Sequence, residues 1–332
     1  MKLLFITQKV DARDDVLGTY HRWIEEIANH FERVTVICLE EGEYDLPSNV
    51  EVFSLGKETG VSRVRYIVHF YKYVWGMRRK YDSVFVHMNQ EYVLLAGLLW
   101  RMWGKKIGFW YNHTYCTLWT RLAGTLVHVV FHTSPFACTA SFKNAIVMPA
   151  GIDTDLFKPA DKKVGTGLSI LSLGRISPLK HLEVLIDAVK ILYEKNISFT
   201  LNIYGPIVDR GYFNRISRQA KPLENKVVFH GSIPNKDTHA IYNSHDVFVN
   251  LTPSGNFDKT VLEAMACEVP VLVSSNAFDV SDTLHFKESD SKDLADKLTE
   301  IKTFSDAKEL RKYVVTNHGL SVLVSKLKTI YS

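Results

Sequence analysis

Residues 252–275, TPSGNFDKTVLEAMACEVPVLVSS, join a loop of small polar residues to a short helix carrying Glu263, a turn at 268–270 and a buried strand. A polar loop that empties into a helix start leaves several backbone N–H groups pointing outward. The positive end of the helix dipole stands behind them, so the stretch suits an anion. Glu263 falls about one turn inside the helix. A carboxylate there accepts hydrogen bonds from two neighbouring hydroxyls, as on a ribose, while the helix start holds phosphate. The competing assignment is a solvent-facing glutamate on an ordinary surface helix, and this stretch alone leaves both open.

A second chemical pair lies at 174–180, GRISPLK. Gly174 lets the backbone turn sharply at a strand end, and Arg175 and Lys180 put two cations on one short connection before a helix. Those cations and the helix start at Lys259, Thr260 and Val261 are expected to meet at the strand ends and hold a pyrophosphate without a metal. Each charge-assisted contact contributes roughly 1.5 to 3 kcal/mol, and stabilising the charge on a leaving group is commonly what accelerates such a reaction most. Solvated surface charge is the alternative for the pair. Asn112, His113 and Thr114 directly follow another predicted strand, where a reactive side chain would be placed; a structural histidine is the alternative there.

These residues need a frame, and the chain supplies an alternation of strand, loop and helix. Strands are predicted at 2–7, 34–39, 50–54, 83–87, 106–111 and 136–141, with helices at 19–31, through the basic segment 61–81, and at 92–103. After a polar stretch at 160–167 that reads as a linker, the alternation restarts with strands at 168–174, 199–205, 227–230 and 247–250, and helices at 181–193, 212–220 and 236–243. The pattern is that of two doubly wound α/β domains in tandem, each with a parallel sheet whose ligands bind at the carboxyl ends of the strands. No internal repeat or low-complexity tract interrupts it.

Two domains also agree with a length of 332 residues. A hydrophobic content of 46% and a charged content of 23% are those of a globular protein. The start, MKLLFITQKVD, has too short an apolar run for a signal peptide and reads as a first strand. YVLLAGLLWRMW, the nearest approach to a spanning helix, stops at about a dozen residues. Cys38, Cys116, Cys138 and Cys267 lack the close pairing of a zinc or redox motif, so they read as reduced thiols in a cytoplasmic protein.

The net charge of +4 is unevenly spread. Arg63, Arg65, Lys72, Arg78, Arg79 and Lys80 have no acidic neighbour between Val61 and Tyr81, and Tyr66, Phe70, Tyr71, Tyr73 and Trp75 are interleaved with them. The mixture suits a helix on an anionic membrane surface, and WRMWGKKIGFWY adds a second cluster of the same kind. A core helix with a basic outer face is the alternative. No nucleic-acid motif accompanies the charge, so nucleic acid is not an expected partner.

Four segments in order then resemble one family. GRISPLKHLEVLIDA is similar to GR-x-x-x-x-K-G-x-x-x-L-I-x-A, and PSGNFDKTVLEAMACEVPVLVS to P-S-x-x-E-G-F-G-x-x-x-L-E-A-M-A-C-G-x-P-V-V-A-S, of the family 4 glycosyltransferases. VMPAGIDTDLFKP and FACTASFKNAIVMP resemble that family's linker and the strand and serine before it. The resemblance covers nearly the whole chain. It implies a GT-B fold, with two Rossmann-like domains facing each other across a cleft: 1–160 for the acceptor, 161–310 for the nucleotide sugar, and 311–332 as a helix returning toward the first. GLSVLVSKLKTIY has the amphipathic pattern of that helix, with Ser321 at its start.

The resemblance further implies retaining, usually metal-independent transfer from a UDP-sugar or GDP-sugar, with no cofactor, to a glycan or lipid-linked acceptor. It assigns Arg175 and Lys180 to the diphosphate, Glu263 to the ribose and His113 to the donor sugar. FHGSIP, with Gly231 and Ile233, would border the base. Two departures bear on this. The first of the family's paired glutamates falls at Gly255, which leaves Asp258 as the substitute carboxylate and Lys259 as an added contact. NAFDVSDTLHFKESD also lacks the usual G-G-x-x-E. A nucleotide-sugar-binding protein without transferase activity is therefore the second expectation; an epimerase or phosphorylase of the same fold is signalled by no motif.

Overall fold

Short β-branched and aromatic runs alternate with amphipathic segments along the chain. In the computed structural model, which describes residues 1–161, 167–223 and 225–332, they become parallel strands with covering helices. The chain divides into Met1–Gly151 with Gly319–Ser332, and Ile152–His318. The divisions thus fall before the expected 160 and beyond the expected 310. Residues 152–159 explain the first shift: Arg311 donates to the carbonyls of Thr154 at 3.2 Å and Phe157 at 2.8 Å, and Ile152 N–H to His318 O at 2.8 Å. The predicted linker at 160–167 lies mostly outside the described residues.

The first unit begins with β1 (Lys2–Val10), α1 (Thr19–His30), β2 (Arg33–Glu41), β3 (Val50–Ser54), α2 (Arg63–Gly76) and β4 (Ser83–His87). It continues with α3 (Gln90–Met102), β5 (Lys106–Trp110), α4 (Leu118–Leu126), β6 (Val129–His132) and β7 (Ala145–Val147). The strands form a parallel sheet in the order β3-β2-β1-β4-β5-β6-β7. Leu3, Leu4, Phe5 and Ile6 are completely buried because both faces of β1 are covered, which is why the strand reads as an unbroken apolar run. Leu3 and Phe5 pack on the α1 side with Trp23, Ile24 and Ile27; Leu4 and Ile6 pack with Phe70, Val93 and Trp100 of α2 and α3.

The second unit runs β8 (Leu168–Leu173), α5 (Leu182–Glu194), β9 (Phe199–Tyr204), α6 (Arg210–Ala220), β10 (Val227–Gly231) and α7 (Thr238–Asn243). It ends with β11 (Val247–Asn250), α8 (Lys259–Ala266), β12 (Val271–Val273), α9 (Ser291–Glu300) and α10 (Ala307–His318). Its parallel sheet has the order β10-β9-β8-β11-β12. The last helix, α11 (Leu320–Tyr331), belongs to the first unit, where Leu323, Val324 and Leu327 join the cluster of Trp23 and Ile27. Tyr331 Oη donates to Val84 O at 2.7 Å, beside a Gly108 whose missing side chain leaves room for that hydroxyl and for the Phe131 ring.

Three local expectations are corrected. Residues 136–141 contain a short 3-10 helix, Cys138–Ser141, instead of a strand, because their hydroxyls bond backbone: Ser141 to Cys138 O at 3.2 Å and Thr139 to Tyr111 O at 2.7 Å. The final helix is capped by Gly319 rather than started at Ser321, and α10 precedes it. Cys116 and Cys138 are not free thiols: they are disulfide-bonded, with Cα atoms 5.6 Å apart, since β6 carries the chain back beside the end of β5. Cys38 and Cys267 are buried thiols.

No helix among the described residues is long and apolar enough to cross a membrane. Thiol titration of the denatured chain tests the cysteine assignment. Without reductant, the two thiols of Cys38 and Cys267 are expected to react, and all four after reduction; four without reductant would refute the bond.

Candidate functional site

In the second unit β8 pairs with β9 on one side and with β11 on the other, so the connections leaving β8 and β11 run in opposite directions. A space opens at the carboxyl ends of two strands so arranged. Both chemical stretches start there. β8 ends at Gly174, whose φ of +148° disfavours any side chain, and Gly205 at the end of β9 lies so close that a Cβ would run into the Gly174 carbonyl. The turn Pro178–Lys180 then brings the Lys180 stem back over Gly174, where an added Cβ would sit 3.2 Å from Lys180 Cε.

The Lys180 ammonium forms an ion pair with Asp258 and donates to Thr252 Oγ1 at 3.2 Å. Asp258 is the N-cap of α8: it accepts from Thr260 N–H at 3.3 Å and from Asn250 Nδ2 at 3.1 Å. Burial alone would raise the Asp258 pKa, but the Lys180 charge and the Thr260 N–H outweigh it and hold the carboxyl at about 2.

One turn on, Glu263 is only 3% exposed, which excludes the surface-helix assignment. Its carboxyl accepts from Tyr242 Oη at 2.9 Å and from Asn235 Nδ2 at 3.3 Å. Burial pushes it up to about 7, against those two donors. Burial likewise draws Lys259 down to about 7, with the Glu263 charge opposing. Asn235 follows the segment with Gly231 and Ile233, so Glu263 ties that segment to α8.

The loop before α8 differs from expectation. Its amides do not all point outward: Ser254 N–H donates to Glu288 at 3.1 Å, Gly255 N–H to Asn276 Oδ1 at 2.9 Å, and Asn256 N–H to Pro253 O at 3.2 Å. Asn276 and Phe278, which stacks on Phe257 at 4.9 Å, belong to the segment that departs from the family pattern. That segment buttresses the loop. Gly255 has φ +85°, a conformation in which the family's glutamate would be strained.

Of the predicted residues, Gly174, Lys180, Asp258, Lys259, Thr260 and Glu263 are brought together around α8, whereas Arg175 is exposed and takes no ion-pair partner among the described residues. His113 belongs to the first unit, beside Tyr111 with ring centroids 5.0 Å apart; its carbonyl accepts from Cys138 N–H at 2.9 Å, and burial lowers its pKa. Asn250, Thr252, Asn235 and Tyr242 were missed. Asn250 ends a predicted strand and Thr252 opens the polar loop that follows, so both were detectable there; Tyr242 carries no such signal.

Residues 167–303 match the family model described as Glycosyl transferases group 1. Mannosylfructose-phosphate synthase of Agrobacterium fabrum is 29% identical over 148 residues, which make up 40% of this chain and 33% of that protein. The chain therefore spans about a third of the length of the curated relatives it matches. Among solved structures, Anabaena Alr3699/HepE in complex with UDP-glucose is 18% identical with a TM-score of 0.76, over 99% of each chain. Sucrose-phosphate synthase from Thermosynechococcus elongatus is 15% identical with a TM-score of 0.77, over 100% of this chain and 98% of that one. The fold is GT-B, in two Rossmann-like units.

Two outcomes follow from the charges. Asp258 drops from 3.8 to about 2, so its contribution is full above 3.8 and is lost as pH falls through about 2. Asp258→Asn keeps a cap acceptor but should cost about 2 kcal/mol at neutral pH, a cost that disappears as pH falls to about 2. Denaturant melts across that range check it, and an unchanged stability at neutral pH would show that the pair with Lys180 contributes nothing. Glu263 is raised from 4.5 to about 7, so its contribution is full below 4.5 and is lost as pH rises through about 7. Glu263→Gln should therefore gain in melting temperature relative to the native chain between those pH values, and a constant difference would contradict the assignment.

Proposed function

We propose, from a GT-B fold and a second unit that matches Glycosyl transferases group 1, that this chain is a glycosyltransferase using a nucleotide diphosphate sugar. The observation that carries the reading is the placement of Lys180, the α8 start and buried Glu263 together at the strand ends where β8 and β11 diverge. Lys180 and Arg175 take the diphosphate, with Lys180 exchanging Asp258 for phosphate oxygen. Glu263 takes the ribose, and the Gly231 to Ile233 backbone borders the base. Lys259 and Thr260 lie at the helix start, and His113 is carried with them as the residue facing the donor sugar.

In this reading the acceptor hydroxyl attacks the anomeric carbon on the face that the leaving diphosphate vacates, and the diphosphate takes the hydroxyl proton. The configuration is retained. No metal is needed when two cations meet the departing charge, the position at which fixed charge is most effective. The donor is a UDP-sugar or GDP-sugar, with UDP favoured by the UDP and UDP-glucose complexes of the structural neighbours. The acceptor is a lipid-linked or surface glycan, which makes this a polysaccharide-building, hexosyltransferase-like enzyme of family 4. The expected location is cytoplasmic, at the inner face of a membrane; the Cys116–Cys138 bond is the observation opposed to it.

A second reading is favoured by Gly255. With no side chain there, and with Asp258 engaged by Lys180, the site lacks a carboxylate directed at the donor sugar, as in a nucleotide-sugar-binding protein without transfer. Thermal melts with UDP, GDP, ADP and their sugars separate the cases when paired with assays for nucleotide release. A ligand at about 100 times its dissociation constant adds roughly 2.7 kcal/mol, so one nucleotide should raise the melting temperature, and Arg175→Ala with Lys180→Ala should abolish the rise. Release of the diphosphate from its sugar supports transfer. Binding without release favours the second reading, and no shift with any nucleotide refutes both.

A further inference from the structure

Helix α2 has two apolar stripes. Phe70, Val74 and, just past its end, Met77 are buried against the sheet. Val64, Ile67, Val68, Tyr71 and Trp75, spaced by three and four residues, turn away from it and are 37–71% exposed. Neighbouring helices extend the outward stripe. Leu98 and Met102 of α3 are 64% and 75% exposed, and Leu118 and Trp119 of α4 are 83% and 62% exposed. The three helices adjoin: Tyr71 Oη donates to Leu95 O at 2.8 Å, Trp75 meets Trp103 edge-on at 5.3 Å, and Arg101 Nε donates to Leu126 O at 2.7 Å. An open groove of about 470 Å³, lined by Tyr71, Lys72, Trp75, Leu99 and Trp103, lies between α2 and α3.

Charge on this face has one sign. Arg63, Arg65, Lys72, Arg79, Arg101 and Arg121 are exposed, and Glu91 is the sole acidic residue within the three helices. We propose that the outer face of α2, α3 and α4 docks on an anionic lipid bilayer. Headgroups meet the guanidinium and ammonium groups, the indole and phenol rings sit at the boundary, and Val64, Val68, Leu98, Met102 and Leu118 enter the acyl region. A second copy of the chain fits less well, since a two-fold contact would press this basic face against itself. An acidic protein would satisfy the charge but would leave the aliphatic tips without an apolar counterpart.

The full chain is cosedimented with phosphatidylcholine vesicles, alone or with about one-third phosphatidylglycerol, at about 50 and about 500 mM salt. Binding is expected for the anionic vesicles at low salt. It should fall by roughly several hundredfold in Arg63→Gln, Arg65→Gln, Lys72→Gln, Arg79→Gln, given a loss near fivefold for each of the four charges. A similar fall is expected in Leu98→Ser, Met102→Ser, Leu118→Ser, Trp119→Ser. All eight side chains are exposed, so both variants should melt with the native chain and each tests the proposal independently. Absence of binding to anionic vesicles, equal binding to neutral ones, or a self-association seen by light scattering and abolished by the apolar variant would overturn it. No donor is used, so the result stands apart from the sugar-transfer reading.

Discussion

One ammonium–carboxylate contact holds the strand-end architecture of the second unit together. Lys180 enters from the end of β8 and Asp258 from the start of α8, 78 residues later, and their pairing closes the gap left where two crossovers diverge. The pair is partly buried, its side chains 17% and 19% exposed, and Thr252, Asn250 and Thr260 supply the additional hydrogen bonds that such a pair needs to offset desolvation. Removing either partner leaves a half-buried charge. The contact therefore constrains which residues the surrounding positions tolerate.

Helix α8 shows why that constraint matters. It has eight residues, too few for helix propensity to sustain it, so packing and its ends must do so. Val261, Leu262, Ala264 and Met265 are buried. A carboxylate sits at its N-terminus, and the Arg311 guanidinium bonds Ala266 O at the other end, so charges of the favourable sign complement both ends of its dipole. Glu263 inherits a fixed position from this helix. It also inherits a dry one, which is why it and Lys259 both titrate near neutrality rather than at the extremes usual for their types.

The alternation of strands and helices was legible because β1 and its neighbours are buried on both faces and their helices on one, a contrast written directly in apolar spacing. Lys180 was legible as chemistry because it lies on the short connection after a recognisable strand end, and Glu263 because it falls one turn inside a helix that a polar loop introduces. What escaped was anything decided by distant partners. The hydroxyl of Tyr242, 21 residues before Glu263, turns a helix carboxylate into a buried hydrogen-bonded one. Glu288 and Asn276 take up amides that the loop sequence alone leaves free. The bond between Cys116 and Cys138 depends on how β6 returns alongside β5, and a sequence separation of 22 conceals that proximity.

Helix α2 shows a different kind of ambiguity. Its residues supported both a buried helix with a basic outer face and a helix lying on a surface, and the two assignments are not exclusive. A helix needs only about a third of its circumference to join a core. Phe70 and Val74 meet that need, so the folded state gains nothing comparable from Val64, Val68 or Trp75 on the opposite side. Singly exposed apolar side chains are common, but exposed apolar side chains gathered on three adjoining helices, at helical spacing on α2 and α3, are of the kind that marks an interface. Such a patch lowers solubility while contributing little to folding. The same fourteen residues of α2 thus encode a core contact on one side and a second apolar face on the other.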